Sequence, residues 1–260
     1  MKNDRYTSRL QKGGALLNEM RQLTTLWSDE PDIADKIIAS NRLAQQSRTR
    51  LSDLIGRSFV PRYVRGPIPN LWKPLALLEQ FAADVGTIKA LHYYATAQSE
   101  FVIKDFVIDF IFKQRGSTRL DINVMDLVKY LRSQPIEKFG GQRWSEGVQK
   151  RVARGVLAAL RDFGILEGKS KKMMAPFHLS TNAFVIISHL MMSKIRSGEK
   201  LVNNNEWELF LMTPRDVEQM FLEAHQLGYL HYQAAGKVVS INYPTDSIEE
   251  YISVTLKRTN

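Results

Sequence analysis

The stretch that decides the predicted fold is residues 145–179, SEGVQKRVARGVLAALRDFGILEGKSKKMMAPFHL. Ser145 is a typical N-cap, and the apolar residues after it recur at helical spacing until Gly164, a typical helix stop. Two short apolar runs then flank the cationic, turn-like residues 168–172, and this pattern predicts a hairpin. A shorter amphipathic helix is predicted over 123–133. The order helix, turn, helix and two-stranded wing indicates a winged helix-turn-helix.

The residues before this segment have a helical pattern throughout. Helices are predicted to begin near Gly14, Pro31, Ser47, Leu75 and Thr87. The third is expected to end near Phe59, because residues 61–74 contain four prolines and predict a connector. The last, over 87–113, is apolar on several faces and is predicted to run through the core. These patterns predict an all-helical N-terminal bundle.

The last sixty residues repeat part of the middle segment's plan. Thr213-Pro214 begins a helix that Gly228 ends, and strands are predicted over Tyr229–Gln233 and Lys237–Asn242. A final short helix is predicted over Ser247–Leu256. We therefore predict a mainly α protein in three domains: a helical bundle (1–115), a winged helix-turn-helix (116–198) and a second winged-helix-like unit (199–260).

Positive charge is concentrated in two blocks of this sequence. The formal net charge is +9 and the pI about 9.6. Residues 1–68 carry 12 basic and 7 acidic side chains, and residues 113–172 carry 14 and 6, whereas residues 201–260 carry 4 and 8. Segregated positive charge of this kind is typical of a surface that meets phosphate, and the acidic last segment is better suited to a protein partner.

Two further features bear on location. The chain contains no cysteine, which fits a reducing compartment. Residues 173–192 carry no Lys, Arg, Asp or Glu, but Pro176 and several polar residues within them favour a strand followed by a buried helix over a membrane span. We expect a cytoplasmic protein that is not embedded in a membrane.

The candidate DNA contacts lie on the second helix of the winged segment, on its wing and in the N-terminal block. They are Arg143, Gln149, Lys150, Arg151, Arg154, Arg161, Lys169, Lys171, Lys172, Arg48, Arg50 and Arg57. Mostly cationic side chains suggest contacts with phosphate more than reading of bases. The alternatives stay open: a solvated helix face, a solubilising turn around Ser170, and local pairing of the N-terminal arginines with residues such as Asp53.

Groups typical of catalysis are scarce. The histidines show no paired metal spacing, and neither a nucleophile elbow nor a glycine-rich nucleotide fingerprint occurs. Asp105 and Asp109 are four apart, which is weak evidence for a metal. Gly13-Gly14 could form an anion-binding nest, but a flexible entry into the helix is favoured. We expect no cofactor and no enzymatic activity.

Several stretches resemble the BrxA family of BREX phage-exclusion operons. They are RLQKGGALLNE (9–19), IIASNRL (37–43), QSRTR (46–50), Trp207 with Leu209, the helix 217–228 and residues 238–243. The resemblance covers almost the whole chain. It implies an accessory protein of bacterial phage defence, with a helical region similar to NusB-type antitermination proteins and winged-helix DNA-binding character, and it implies no catalytic residues.

The leading hypothesis is a non-enzymatic protein that binds double-stranded DNA mainly through phosphate contacts. The alternatives are a protein–protein adaptor that uses the acidic C-terminal unit to contact other BREX proteins, and an RNA-binding protein like NusB.

Overall fold

The computed structural model describes residues 5–43, 47–116, 121–169, 171–236 and 238–257, without the side chains of residues 256 and 257. The described part is mainly helical with two small antiparallel sheets, so the predicted fold class is confirmed. Its α-helices are α1 (Leu17–Leu26), α2 (Ile33–Ser40), α3 (Arg48–Leu54), α4 (Trp72–Gln80), α5 (Val85–Ser99), α6 (Phe101–Phe106), α7 (Val124–Ser133), α8 (Glu146–Asp162), α9 (Thr181–Ile195), α10 (Gly198–Val202), α11 (Pro214–Gln226) and α12 (Ile248–Lys257). The strands are β1 (Asp121–Ile122), β2 (Leu166–Glu167), β3 (Lys172–Met174), β4 (His231–Ala235) and β5 (Val238–Asn242). Three residues of the predicted motifs, Gln46, Ser170 and Lys237, lie outside the described residues.

The third N-terminal helix is longer than the sequence predicts. Ser47 caps it as expected, with its Oγ accepting from the Arg50 amide at 3.1 Å. Beyond α3, however, the chain continues as a π-helix, Ile55–Val64, which runs through Pro61. Proline lacks the amide hydrogen and crowds the carbonyl four residues before it, so a wider helical turn accommodates it better than an α-turn. The predicted end near Phe59 is therefore wrong.

The central helix is buried as predicted but is not continuous. Twelve of the fifteen residues of α5 are buried. At Glu100 the backbone leaves helical geometry (φ −114°, ψ 81°), and α6 follows at once, continued by a π-helix over Val107–Ile111 and a 3-10 turn over Phe112–Gln114. The Glu100 side chain is fully buried, where Thr7 Oγ1 donates to it at 2.6 Å. The interruption thus coincides with a buried carboxylate, and the prediction of one helix over 87–113 is wrong.

The middle segment has the predicted order of elements and one strand more. Asn123 caps α7 in a capping box with Asp126, and Ser145 caps α8, whose end is followed by Gly164 at φ +82°. Strand β3 pairs with β2, as the hairpin pattern predicts, and also with β1, which gives a three-stranded sheet of order β1-β3-β2. A two-residue strand such as β1 is too short to leave a periodic pattern in the sequence.

The C-terminal segment contains the predicted helix and hairpin. Thr213 and Asp216 form the expected capping box at the start of α11, and β4 pairs with β5 in a register that places Tyr232 opposite Ile241. Helix α10 and the 3-10 turn Asn205–Phe210 were not predicted. That turn buries Trp207, which stacks on Phe184 of α9 with ring centroids 4.7 Å apart.

The three predicted domains share extensive contacts. The 3-10 turn Arg9–Lys12 packs on α8, α5 packs on α9, and α4 packs on α12. The division at residues 115 and 198 stays a prediction. Among the described residues, no helix has the length and apolarity needed to cross a bilayer.

Candidate nucleic-acid interface

Helix α8 presents one cationic face to solvent. At 100° per residue, Lys150, Arg151, Arg154 and Arg161 lie within one strip, and the side chains of Val152, Val156 and Leu160 lie buried on the other side. Between the cations the strip carries only the small residues Gly147 and Ala158. Gly147 is exposed, whereas Ala158 is half-buried and lies against Gly14. A phosphate backbone could therefore approach the helix closely beside Gly147, where no bulky side chain separates it from the cations.

The cations of this face have weak intramolecular partners or none. Lys150 pairs with Glu146 at 2.6 Å and Arg161 with Asp162 at 2.8 Å, both on the surface. Arg151 Nε donates to the Gln11 side chain at 3.2 Å. Within the described ranges, Arg154 has no hydrogen bond or ion pair. Exposed ion pairs typically contribute ~0–1 kcal/mol, so phosphate can compete for these side chains.

The segment Arg9–Gly14, here called the N-terminal strap, lies directly against α8. A Cβ on Gly155 would lie 2.0 Å from the Leu10 carbonyl oxygen, so only glycine allows this approach. At Gly14, where φ is +63°, the nearest groups belong to Ala158, Ala159 and the Gly155 carbonyl. The glycine pair thus lets the chain turn against the helix, which agrees with its interpretation as an entry into the helical region and gives it a packing role.

The strap joins the two basic blocks of the sequence into one surface. On one side Gln11 accepts from Arg151 of α8, and on the other the Lys12 carbonyl accepts from Arg50 Nη2 at 3.3 Å. Lys12 Nζ lies 3.2 Å from Asp53, which also pairs with Arg57 at 3.1 Å. The hydrogen bond from Lys12 lowers the pKa of Asp53, desolvation opposes this shift, and the charges of Arg57 and Arg50 lower the pKa further. Local pairing, left open by the sequence, therefore holds for Arg57 but not for Arg50.

The hairpin of β2 and β3, here called the wing, extends the cationic surface on the other side of Arg154. Lys169 and Lys171 are exposed, and Lys172 is half-buried with its Nζ donating to the Lys169 carbonyl at 2.9 Å. Burial lowers the pKa of Lys172, and the positive charge of Arg161 lowers it further. A small hollow of about 180 Å³ lies between Arg154, Lys169, Lys172 and the start of α7. Wing and helix thus place their cations around one depression.

Comparison with known proteins identifies the family of the chain. The family model described as BrxA matches residues 4–191, which include the strap, α8 and the wing. The chain belongs to the BrxA family. No curated protein and no solved structure matches it. Membership of the BrxA family associates the chain with BREX phage defence, as the resemblance implied.

Two candidate contacts are corrected by the structure of this BrxA-family chain. Gln149 is only 6% exposed, and its Nε2 donates to the Trp144 carbonyl at 2.7 Å, so it cannot reach a base edge. Arg143 precedes α8, and its guanidinium donates to the carbonyls of Leu131 at 3.0 Å and Gln134 at 2.6 Å. Arg143 therefore closes the end of α7 and is already occupied.

One predicted contact lies apart from this surface, and two residues of the surface were not predicted. Arg48 is exposed near the start of α3 and shares no described contact with α8. Gln11 and Lys12 belong to the surface but were not among the predicted contacts. In the sequence, the feature that could have indicated them is the cationic stretch Arg9–Lys12 before Gly13-Gly14.

Asp105 and Asp109 form contacts within the fold. Asp105 accepts from Tyr6 at 2.9 Å and pairs with Lys138, and Asp109 accepts from Tyr130 at 3.0 Å. Over the described ranges, no group of three or more His, Cys, Asp or Glu could hold a metal ion.

Proposed function

We propose that this BrxA-family protein is a non-enzymatic, duplex DNA-binding component of a BREX defence system. The observation that carries the proposal is the face of α8 on which four cations lie in one strip beside the exposed Gly147. This face continues into the strap on one side and into the wing on the other. The carboxylates of Asp105 and Asp109 are engaged in hydrogen bonds within the fold, which supports a binding role.

The surface favours binding of the DNA backbone over reading of the sequence. The major groove is about 12 Å wide and admits an α-helix. Sequence is read by donor and acceptor pairs on base edges, whereas Arg and Lys near the backbone neutralise phosphate. Because Gln149 is buried, the face offers cations and no amide side chain. Weak sequence selectivity and strong salt dependence follow.

The test is a titration of a fluorescently labelled duplex of about 20 base pairs with the full chain. In the R154E/K171E variant both replaced cations lack a described partner, so the fold should be retained. Loss of two phosphate contacts plus repulsion should weaken binding by about tenfold or more at low salt. The matched control K200E/R215E carries the same change in net charge at exposed positions away from α8 and the wing, and it should bind within about twofold of the parent.

Equal weakening by both variants would mean that net charge alone governs binding and would contradict the proposed surface. The same titration with unlabelled competitors separates DNA from RNA. We expect duplex DNA to compete better than a single strand or a structured RNA of equal length. Preferential competition by the structured RNA would favour the RNA-binding alternative.

The adaptor function is favoured by one observation in the acidic C-terminal unit. Leu222 and Leu227 near the end of α11 are 50% and 52% exposed, and Val238 of β5 is 73% exposed. Exposed apolar side chains with an acidic surround are typical of a protein contact. Co-purification with the other BREX proteins from nuclease-treated lysate, lost in L222S/V238S and kept in R154E/K171E, would support this role.

A further inference from the structure

A large hollow lies where α5 breaks into α6. Its volume is about 790 Å³, within the range of small-molecule sites. The π-helix after α3, the break at Glu100, the end of α9 and the turn 205–210 form its walls. The hollow is separate from the α8 face, although Arg9 of the strap lines it.

Cations outnumber acids on the walls of this hollow. Five cationic side chains and two acidic ones line it: Arg9, Arg65, Lys104, Lys138 and Lys194, against Asp105 and Glu206. Both acids are bound by protein donors. Glu206 accepts from Lys104 at 2.6 Å, from Tyr94 at 2.7 Å and from Gln98 at 2.8 Å. Asp105 is bound by Tyr6 and Lys138. A ligand therefore meets acids that are already paired with lysines and a net excess of positive charge. Among the other cations, Lys194 Nζ donates to the Pro67 carbonyl at 3.1 Å.

Arg9 and Arg65 differ in how they are held. Arg9 Nε lies 3.2 Å from the buried carboxylate of Glu100, which fixes this guanidinium in the wall. Arg65 is exposed at the rim and has no side-chain acceptor or acidic partner among the described residues. The next residue, Gly66, is pressed against the Pro61 carbonyl, which a Cβ would approach to 2.6 Å. This tight turn holds Arg65 at the rim.

The hollow also has an apolar wall. Val60, Pro61, Pro67 and the half-buried ring of Phe101 contribute to it. A site with apolar and aromatic side chains on one side and cations at the rim suits a ligand with an apolar or aromatic body and an anionic group, because the apolar surface can contact the body while the cations bind the phosphate.

We propose that this hollow binds a small phosphorylated molecule of the nucleotide class, with the phosphates at Arg65 and Lys194 and the base against Phe101. The inference does not depend on DNA binding, since it rests on different walls and different cations. It assigns the chain a second anion site that a free nucleotide can enter.

The test uses isothermal titration calorimetry of the full chain with three probes: adenosine 5′-diphosphate, inorganic pyrophosphate and adenosine. The nucleotide should bind the parent chain, pyrophosphate should bind more weakly, and adenosine more weakly still. R65E/K194E changes two rim residues and should lower nucleotide affinity by about tenfold or more. K200E/R215E is the matched control and should leave it unchanged. Thermal unfolding of each variant checks that the fold is retained.

A second variant tests the apolar wall. F101A should weaken binding of the diphosphate more than binding of pyrophosphate, because only the nucleotide has a base to place there. Absence of nucleotide binding to the parent chain would overturn the proposal. So would binding that is lost in R154E/K171E and kept in R65E/K194E, which would place the nucleotide on the α8 face. Equal affinity for nucleotide and pyrophosphate, unchanged in F101A, would overturn the nucleotide class.

Discussion

At the scale of single residues, Gly155 is the position where sequence and tertiary structure are most tightly coupled. A glycine inside a helix costs about 1 kcal/mol relative to alanine. At Gly155 no larger residue fits, because the Leu10 carbonyl lies where a Cβ would be. Gly147, two turns earlier in α8, has open surroundings, with only the Arg151 guanidinium 3.6 Å from a Cβ. The two glycines offer a matched comparison in one helix.

Alanine substitution should have opposite effects at these two sites. Gly147→Ala should raise the free energy of unfolding by up to about 1 kcal/mol through helix propensity. Gly155→Ala should lower it by about 1–3 kcal/mol, since the strap backbone must move away from α8. Chemical denaturation of both variants measures this. If Gly155→Ala stabilises the chain as much as Gly147→Ala does, the strap does not pack on α8 as described.

His92 gives the fold a predictable response to acid. It is fully buried, and Tyr63 Oη lies 2.9 Å from its Nδ1. Burial lowers the pKa of His92 from 6.5 to about 3, and the positive charges of Arg21 and Arg62 contribute. Above pH 6.5 the ring is neutral in both states. Between pH 6.5 and about 3 only the unfolded chain binds the proton, so stability falls as the pH falls.

From pH 7 to pH 5 this group alone should remove about 2 kcal/mol of stability. His92→Gln removes the titrating group and should reduce the loss over that interval by the same amount, whatever its effect at pH 7. His178→Gln, at an exposed position, serves as the control. Denaturant titrations at both pH values provide the measurement. An unchanged pH dependence in His92→Gln would show that the ring is not buried.

The roles of residues that depend on near neighbours in the sequence were predicted correctly, whereas the roles that depend on tertiary packing were not. The caps Ser145 and Thr213 follow from sequence alone, because capping depends on the next three residues. The sequence predicts a DNA contact at Gln149, but this side chain lies toward Arg132 of α7, and only the packing of α7 on α8 decides that. The buried role of Glu100 depends on Thr7 and Arg9, more than ninety residues earlier in the chain.

At the scale of elements, hydrophobic periodicity located the helices but not their interruptions. The break after α5 and the π-helices at Ile55–Val64 and Val107–Ile111 leave the apolar pattern nearly unchanged, so periodicity cannot reveal them. The hairpin of the wing was predicted because a cationic turn separates two apolar runs. Strand β1 was missed because its two residues join the sheet only through β3.

The wing should contribute a measurable share of the salt dependence. Each phosphate contact adds about 0.9 to the slope of log binding constant against log salt concentration. If Lys169 and Lys171 both contact phosphate, K169A/K171A should reduce that slope by about 1.8. Titrations at several salt concentrations, with K200A/R215A as the control, measure it. An unchanged slope would leave the wing as the solubilising turn that the sequence also allowed.

At the scale of the whole molecule, the fold brings together the two basic blocks that are far apart in the sequence. Two basic blocks separated by a neutral stretch were visible in the sequence, but their meeting through the strap was not. It depends on Arg9–Lys12 packing against α8, a contact between residues about 140 apart. Similarly, the hollow at Glu100 draws its walls from six segments that are distant in the sequence, so no local motif marks it.

The most direct test of the proposed DNA-binding surface is hydrogen exchange, followed by mass spectrometry, of the full chain with and without saturating duplex DNA. Bound DNA should slow exchange in peptides that cover residues 9–14, 146–161 and 166–174, and it should leave residues 214–242 unchanged. Protection confined to residues 214–242, or no protection at saturating DNA, would contradict the assignment of α8, the wing and the strap as the interface.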